Sequence, residues 1–295
     1  MKVGIIGGGK VGSCLAGYLK KAGCLSAITA ASAEHCKKLS EQFATPSCDN
    51  VKLVEISDVI LLTVPDRRIA DVAKQLCDGG ASLQGKIILH CSGSLGLEPL
   101  DAVQKNGAYV GSLHPLQSFA GGVVDLNGVY MAVDGDAKAL TAAKELAKIL
   151  NGNSFFVPAS ERAAYHAAAC ICSNYAVAVE AIAQSLMSRW TGSDEAAWQA
   201  LVPLFKGTAA NLLKTENPGT VLTGPIARGD VETVEKHLAV MPDELTNVYC
   251  SLGLVATQLA LANGTIDWET KQRLDKLLIQ SEVQNDRKEG NCSNY

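Results

Sequence analysis

The chain has 295 residues, of which 47% are hydrophobic and 19% are charged, and its formal net charge at pH 7 is −4. This composition is ordinary for a folded globular protein, and the length leaves room for two domains. The weakly acidic charge comes without a basic stripe, so nucleic acid is excluded as the expected main partner and a small molecule is favoured.

Strand and helix patterns alternate along the first half of the chain. This alternation predicts a mostly parallel sheet covered by helices on both faces. The predicted strands are residues 2–7, 27–31, 59–64, 86–91, 109–113, 130–133 and 154–157, and the helices between them are residues 10–22, 33–42, 69–77 and 137–150.

The strand pattern stops at about residue 160, and the remainder predicts helices. These cover residues 160–189, 194–214, 230–239, 243–263 and 267–280, with Ser160, Asp230, Asp243 and Asp267 as N-caps and residues 281–295 as a frayed polar tail. The fold class is therefore an α/β Rossmann N-terminal domain, residues 1–158, followed by an all-α C-terminal domain, residues 159–290. We expect the second domain to bind substrate and to dimerise.

The spacing Gly7-x-Gly9-x-x-Gly12 directly follows the first predicted strand. In dinucleotide-binding turns these glycines permit a tight turn, close approach of the backbone to phosphate, and close packing of helix on strand. Lys10 and Val11 begin the helix whose N-terminus would face the phosphate. The predicted pyrophosphate site therefore comprises Gly7, Gly9, Lys10, Val11 and Gly12.

The residues after the second strand indicate which dinucleotide is bound. An acidic residue there would hold the ribose hydroxyls of NAD, but this chain has Ala30-Ala31-Ser32, and Glu34 lies past the usual place. Ser32, Lys37 and Lys38 could contact a 2′-phosphate, although the two lysines also fit a solvated helix face. NADP is therefore favoured over NAD, and flavin is a weaker alternative.

Two loops follow strands at the sheet edge where open α/β sheets bind ligands. Val64 and Pro65 would shape the turn beneath a cofactor ribose, while Ser92 and Gly93 would offer hydroxyl and backbone donors. Ordinary loop chemistry is the alternative for each of the four.

The most apolar stretch, residues 163–187, contains His166, Asn174, Glu180 and Gln184. These polar groups predict a buried or subunit-facing helix rather than a membrane span. Within it, Cys170 and Cys172 are placed on different sides of the helix, which favours packing over metal binding. The ten cysteines of the chain have no paired metal spacing, and residues 2–7 already form a strand, so we expect reduced thiols, no metal and no secretory leader.

Several motifs together resemble a family of Rossmann-like proteins that carry a helical C-terminal domain of unknown function. The resemblance covers nearly the whole chain, and the broader relatives are similar to the ketopantoate reductase, pyrroline-5-carboxylate reductase and 6-phosphogluconate dehydrogenase group. Besides the glycine turn, the motifs are Thr63-Val64-Pro65-Asp66, His90-Cys91-Ser92-Gly93, His114-Pro115-Leu116-Gln117-Ser118-Phe119, Tyr165-His166-Ala167-Ala168-Ala169, Ser173-Asn174-Tyr175 and Thr223-Gly224-Pro225-Ile226-Ala227-Arg228-Gly229-Asp230.

The resemblance implies hydride transfer between NAD(P)H and a small carbonyl or imine, and some members of the family are thought to act as an alternative ketopantoate reductase. In the β-hydroxyacid dehydrogenase relatives a lysine and, four residues later, an asparagine face the substrate. Asn174 matches the asparagine, but Cys170 stands where the lysine would be, and a thiol cannot replace an ammonium. Residues 222–230 occupy a place similar to a substrate-binding loop of pyrroline-5-carboxylate reductases, often at a dimer interface.

Carbonyl reduction also needs a proton donor and an anchor for the substrate. His166, one turn before Cys170, and His114, at the end of a strand, are the donor candidates, with a core histidine as the alternative for His166. Arg228 could grip a carboxylate, or it could form a structural ion pair beside the cap Asp230. The predicted catalytic residues are His166, Asn174 and His114, and the predicted substrate-binding residues are Ser173, Thr223 and Arg228.

Together these inferences predict a cytoplasmic, homodimeric NADP(H)-dependent oxidoreductase that reduces a small 2-oxo acid, with a ketopantoate-like substrate first. Neither nucleic acid nor a membrane is an expected partner. An imine reductase similar to pyrroline-5-carboxylate reductase is one alternative, because an iminium already carries its proton. A non-catalytic NADPH sensor is the other, and it rests on the absent lysine.

Overall fold

The computed structural model describes the backbone of residues 1–120 and 124–292. Its contacts divide the chain into two compact units, Met1–Ala176 and the residues from Val177 onward. This division falls inside a long helical stretch, and the predicted domain boundary near residue 158 stays a prediction.

The first unit is built on one seven-stranded sheet with the strand order β2-β1-β3-β4-β5-β6-β7. Neighbouring strands are parallel except β5 and β6, which are antiparallel. The expected mostly parallel sheet is therefore confirmed. The strands are β1 (Val3–Ile6), β2 (Leu25–Thr29), β3 (Val59–Leu62), β4 (Ile87–His90), β5 (Tyr109–Pro115), β6 (Tyr130–Gly135) and β7 (Asn153–Phe156).

Apolar side chains cover both faces of the central strands. Val59 and Leu61 of β3 belong to one buried cluster, whereas Ile60 and Leu62 belong to another. Successive side chains of a strand point to opposite faces, so one core lies on each side of the sheet. The helices of this unit are α1 (Lys10–Lys21), α2 (Ala33–Phe43), α3 (Asn50–Ile56), α4 (Asp66–Asp78), α5 (Asp101–Lys105), α6 (Ala137–Ile149) and α7 (Arg162–Cys170).

The second unit is helical, with a small core formed by the last three helices. Its helices are α8 (Ala176–Thr191), α9 (Asp194–Leu212), α10 (Val231–Val240), α11 (Asp243–Ala262) and α12 (Trp268–Cys292). The expected frayed tail is wrong for residues 281–292, which continue α12, and residues 293–295 lie outside the described residues. Asn285 anchors the first of these extra turns to α11, because its amide donates to the carbonyl of Asp243 at 2.9 Å and to Asn247 at 3.0 Å.

Two of the four predicted N-caps are confirmed. Asp230 accepts the amide hydrogen of Thr233 at 3.1 Å, and Asp267 accepts that of Thr270 at 2.8 Å. Ser160 is not a cap, since it lies in a 3-10 turn, Ala159–Glu161, that precedes α7. Asp243 is likewise the first residue of α11 rather than its cap.

A continuous helical stretch, Ala159–Thr191, joins α7 to α8, and its apolar window has a mean hydropathy of 1.3. Together with Asp243–Ala262, whose mean hydropathy is 1.4, it is long and apolar enough to cross a membrane by length and composition alone. No residue of α8 is buried within the chain. The expectation of a helix buried in its own chain is therefore wrong, and a subunit-facing helix remains the prediction.

Candidate active site

The three glycines after β1 have different surroundings. A Cβ added to Gly12 would lie 1.9 Å from the carbonyl oxygen of Gly7, and Gly7 itself has a φ of +120°. A Cβ added to Gly9 would meet no atom within 4 Å. Two glycines are thus required by the turn and by helix packing, whereas the third borders open space. This is the arrangement that lets a phosphate approach the backbone.

The N-terminus of α1 lies at the same open space. Gly9 is its N-cap and has no side chain to cap the first turn, so the helix presents its amide hydrogens and the positive end of its dipole. A cavity of about 580 Å³ begins at Gly8, Gly9 and Lys10 and continues beside Phe43 and Phe119. Lys10 Nζ donates to the carbonyl of Ala120 at 2.5 Å, which places an ammonium at this cavity.

The end of β2 carries no unpaired acidic side chain. Ser32 caps α2 by accepting the amide hydrogen of His35 at 3.2 Å, and the exposed carboxylate of Glu34 contacts Lys38 Nζ at 2.7 Å. The neighbouring Lys37 is exposed. The local charge around Ser32 is therefore compatible with a phosphate group.

The loops after β3 and β4 are joined to each other. Val64 and Pro65 lead into α4, whose first residue, Asp66, accepts hydrogen bonds from Ser92 at 2.7 Å and from Ser94 at 3.1 Å. Ser92 is only 5% exposed, so its hydroxyl serves first to connect the two loops. The predicted contact of Ser92 with a cofactor stays a prediction, as do the predicted contacts of Val64 and Pro65.

His90 shapes the second of these loops from beneath. Its Nδ1 accepts the amide hydrogen of Ser92 at 3.2 Å, so Nε2 carries the proton and donates to the carbonyl of Gly96 at 2.8 Å. The side chain is fully buried, and burial lowers the pKa of His90 to about 4. The loop is therefore built around a neutral imidazole.

A second cavity, of about 680 Å³, lies against the C-terminal end of β5 and the helical stretch that begins with α7. Phe119 lines this cavity as well as the one at the glycine turn. The second cavity brings together four of the six predicted catalytic and substrate-binding residues, namely His114, His166, Ser173 and Asn174. The polar and sulfur-bearing residues of its lining are His114, Gln117, Ser118, Tyr165, His166, Cys170, Cys172, Ser173 and Asn174.

His114 and Tyr165 form a close polar pair in this lining. His114 Nδ1 lies 2.7 Å from the Tyr165 hydroxyl, and the two rings meet edge to face with centroids 5.6 Å apart. Burial lowers the pKa of His114 to about 4 and raises the pKa of Tyr165 to about 12. Both side chains are therefore uncharged at neutral pH.

Gly93 permits the two histidines to sit above the loop after β4. An added Cβ there would lie 2.8 Å from His114 Nε2 and 2.8 Å from His166 Cδ2. His166 lies on the same helix as Tyr165, and its Nδ1 is 3.8 Å from the Cys170 sulfur. The absence of a side chain at this position thus allows both rings to reach the cavity.

The helical stretch changes pitch at the cavity. Residues Ile171–Tyr175 form a π-helical segment between α7 and α8, a distortion that is frequent at functional sites. Ser173 and Asn174 lie in it and contribute to the cavity lining. The expectation that Cys170 and Cys172 lie on different sides of the helix for packing is wrong, since both line this cavity.

Arg162 is a buried cation beneath the site, with 1% of its surface exposed. It donates to the Ser92 carbonyl at 3.3 Å and to the Ser112 hydroxyl, and its Nε has no hydrogen-bond partner. The carboxylate of Asp134 interacts with it electrostatically. The residue ties the start of α7 to β5 and to the loop after β4.

Two predicted substrate-binding residues, Thr223 and Arg228, belong to the second unit. Arg228 lies in the 3-10 turn Ile226–Arg228, next to the capping carboxylate of Asp230. The proposed role of Asp230 as a cap is confirmed, and the substrate contacts of the other two residues stay predictions. Among the described side chains, those of residues 1–120 and 124–285, no group of three metal-ligating residues could hold a metal ion.

Sequence reasoning did not assign Tyr165, Arg162 and Asp66 to the site. Tyr165 was one of several polar residues on an apolar helix, and its spacing of three from Arg162 could have indicated a shared face. Its pairing with His114 spans 51 residues and depends on the packing of α7 against β5.

Comparison with known proteins places this geometry in context. Residues 1–115 match a Rossmann-like domain, and residues 129–256 match the domain of unknown function DUF2520. No curated protein sequence matches the chain. The expected combination of a Rossmann-like domain and a helical domain of unknown function is confirmed.

Solved structures share the fold over most of the chain. The "putative NADP oxidoreductase BF3122" of Bacteroides fragilis is 18% identical, with a TM-score of 0.66 over 89% of this chain and 97% of that one. Protein TM1727 of Thermotoga maritima is 25% identical, with a TM-score of 0.65 over 96% and 99%. The pyrroline-5-carboxylate reductase of Streptococcus pyogenes is 16% identical, with a TM-score of 0.56 over 96% and 98%. The chain therefore combines a Rossmann-like domain with a DUF2520 domain, and it shares its fold with these solved structures.

Proposed function

We propose that this protein is an NADPH-dependent reductase of a small carbonyl compound, with a 2-oxo acid of the ketopantoate type as the first substrate to test. One observation carries the proposal: Phe119 lines both the cavity at the glycine turn and the cavity that holds His114, Tyr165 and His166. The predicted dinucleotide site and a cluster of side chains that can donate hydrogen bonds therefore share a wall. Hydride reduction of a carbonyl requires these two components side by side.

The residues present fit NADPH. Gly9 and the N-terminus of α1 would hold the pyrophosphate, because the glycine leaves open space in front of free amide hydrogens. Ser32 would bind the 2′-phosphate, since Glu34 is already paired with Lys38 and no other carboxylate follows β2 directly. When bound, NADPH supplies the hydride, and the loops containing Pro65 and Gly93 would border its nicotinamide end.

The lining supports a carbonyl substrate more directly than an imine. A carbonyl oxygen becomes an alkoxide on hydride addition and needs a proton, and His114, Tyr165 and His166, whose side chains can donate hydrogen bonds, line the cavity. None of the described residues lining this cavity is a lysine, an arginine or a carboxylate. Binding of the carboxylate of a 2-oxo acid remains the role that the sequence predicts for Arg228.

An imine is the second candidate substrate. Cys170 stands where related dehydrogenases have a lysine, and the missing ammonium favours an imine substrate. An iminium carbon accepts hydride without a separate proton donor. The fold similarity to the pyrroline-5-carboxylate reductase of Streptococcus pyogenes agrees with this candidate.

Oxidation of NADPH across a panel of 2-oxo acids and cyclic imines tests the function, with NADH in parallel. We expect turnover of one substrate class, faster with NADPH than with NADH, and a loss of at least about tenfold in His166→Ala and Arg228→Ala. Tight NADPH binding without turnover of any compound would contradict the proposal and favour the sensor.

We also propose that the protein acts in the cytoplasm as a homodimer whose second copy covers the helices after the cavity. Large apolar side chains of α8 and α9 are exposed in the single chain, including Trp190 at 75% and Leu204 at 69%. Exposed apolar surface of this extent marks an interface in most folded proteins. The nine described cysteines are free, as expected for a reducing compartment.

The dimer is checked by light scattering after size exclusion. We expect a mass of two chains for the wild type and of one chain for the double variant Trp190→Ser, Leu204→Ser. Phe156→Ser is the matched control, because Phe156 is 53% exposed but lies at the end of β7 in the first unit. A monomeric wild type would contradict the proposal.

A further inference from the structure

Tyr165 is the only phenol in the lining of the second cavity among the described residues. Its hydroxyl lies 2.7 Å from His114 Nδ1, and its ring packs edge to face against Phe155 with centroids 5.8 Å apart. Two aromatic contacts and one hydrogen bond thus hold the phenol in a fixed position at the cavity wall.

The surroundings keep the pair neutral. Four groups act electrostatically on His114: Arg162 and His166 of α7, His90 of β4, and Asp66 at the start of α4. Arg162 also acts on Tyr165. Burial has the largest effect on both side chains: it lowers the pKa of His114 to about 4 and raises the pKa of Tyr165 to about 12. The phenol therefore keeps its proton at neutral pH.

We propose that Tyr165 is the catalytic proton donor to the substrate oxygen and that His114 is the positioning residue that directs this proton into the cavity. The inference rests on the proposed reductase function. In this arrangement His114 Nδ1–H donates to the Tyr165 oxygen. The phenolic hydrogen is then free to point toward the substrate.

The proton and electron balance closes with these groups. The carbonyl carbon accepts the hydride that NADPH supplies, the carbonyl π pair moves to oxygen, and that oxygen takes the phenolic proton. The phenolate that forms is stabilised by the His114 Nδ1–H. It regains a proton from a water molecule, which leaves to the solvent as hydroxide, while His114 keeps its proton on Nδ1, so the starting pair is restored.

Other donors in the lining suit this role less well. The Nδ1 of His166 faces the Cys170 sulfur at 3.8 Å, and the amide of Asn174 does not release a proton at neutral pH. A phenol with a raised pKa can still protonate an alkoxide, because an alkoxide is the stronger base. Tyr165 therefore combines a fixed position with sufficient acidity.

The test compares Tyr165→Phe with Tyr130→Phe in the full-length protein. Tyr130 undergoes the same chemical change, is 54% exposed and also packs beside Phe155, but lies outside the cavity lining. We expect Tyr165→Phe to slow single-turnover NADPH oxidation about 100-fold. The Kd for NADPH stays within about twofold, and the solvent deuterium isotope effect is lost. Tyr130→Phe leaves all three unchanged.

His114 is tested by conservative rescue and by NMR. His114→Asn keeps an amide donor near the phenol and should lose about tenfold in rate, whereas His114→Ala should match Tyr165→Phe. Nitrogen-15 spectra of the wild type without substrate should place the His114 proton on Nδ1.

The possible failures can be told apart. If the nitrogen-15 spectra show the His114 proton on Nε2 alone, His114 cannot position the Tyr165 proton as proposed, and this result needs no turnover measurement. A Tyr165→Phe rate above about half of the wild-type rate overturns Tyr165 as the donor while the proposed function stands. Failure of the wild type to oxidise NADPH with any carbonyl overturns both proposals.

Discussion

Replacing Gly9 by alanine is expected to weaken NADPH binding about 100-fold while leaving the free energy of unfolding within about 1 kcal/mol of the wild-type value. Gly9 has a φ of −71° and a ψ of −169°, which alanine adopts without strain. Its added Cβ would meet no protein atom within 4 Å. The methyl group would instead occupy the space where the backbone must approach the phosphate.

Gly207→Ala is the matched control for this change. Gly207 lies inside helix α9 of the second unit, and its added Cβ likewise meets nothing within 4 Å, but it does not line the cavity at the glycine turn. We expect normal NADPH binding from this variant and a small gain in stability from the better helix former. Fluorescence titration with NADPH and urea unfolding give the two readouts. Normal NADPH affinity in Gly9→Ala would remove the turn from the cofactor site.

Gly12 illustrates why the choice of glycine matters. Its Cβ would lie 1.9 Å from a backbone oxygen, so an alanine there would disturb the fold as well as the ligand. The sequence motif assigns the three glycines a turn, a phosphate approach and a packing role, and the structure shows that Gly12 packs closely whereas Gly9 borders open space. Only a substitution at Gly9 is expected to change NADPH binding without changing the packing of the turn.

Local patterns were sufficient for the sheet. The fully buried run from Val59 to Leu62 reads as a strand without any tertiary information, because alternate apolar residues fill the two cores. The short helices α3 and α5 were missed for the opposite reason. With seven and five residues, they have too few turns to display a helical period.

The site depends on contacts that no local pattern records. The His114–Tyr165 pair joins residues 51 positions apart, and the buried Arg162 reaches Ser92 across 70 positions. The π-helical segment Ile171–Tyr175 also changes which side chains face the cavity. The sequence therefore offered His114 and His166 as candidates, but it did not show which side chains meet or that Tyr165 joins them.

Acid is expected to destabilise the protein between about pH 6.5 and pH 4, chiefly through its buried histidines. Burial lowers the pKa of His90 to about 4 from the usual 6.5, so between these values the unfolded chain binds a proton there that the folded chain does not bind. The stability contributed by the neutral imidazole is complete above about pH 6.5 and is lost as pH falls through that range. At about pH 5 the loss from this one residue is about 2 kcal/mol.

His90→Asn separates this titration from the rest of the molecule. The Asn oxygen can still accept the Ser92 amide hydrogen that His90 Nδ1 accepts at 3.2 Å, but it does not titrate. The variant should be less stable at about pH 7.5 and should lose about 2 kcal/mol less than the wild type on going to about pH 5. Urea unfolding at the two pH values gives the difference.

His35→Asn is the control, because His35 is an exposed residue of α2. It should leave the pH dependence unchanged. His114 works in the same direction as His90, since burial also lowers the pKa of His114 to about 4, and the double variant His90→Asn, His114→Asn should flatten the acid limb further. The prediction is contradicted if His90→Asn loses as much free energy of unfolding as the wild type on going to about pH 5. The His90 imidazole would then accept a proton in the folded protein, and the loop from Ser92 to Gly96 would not depend on its neutral form.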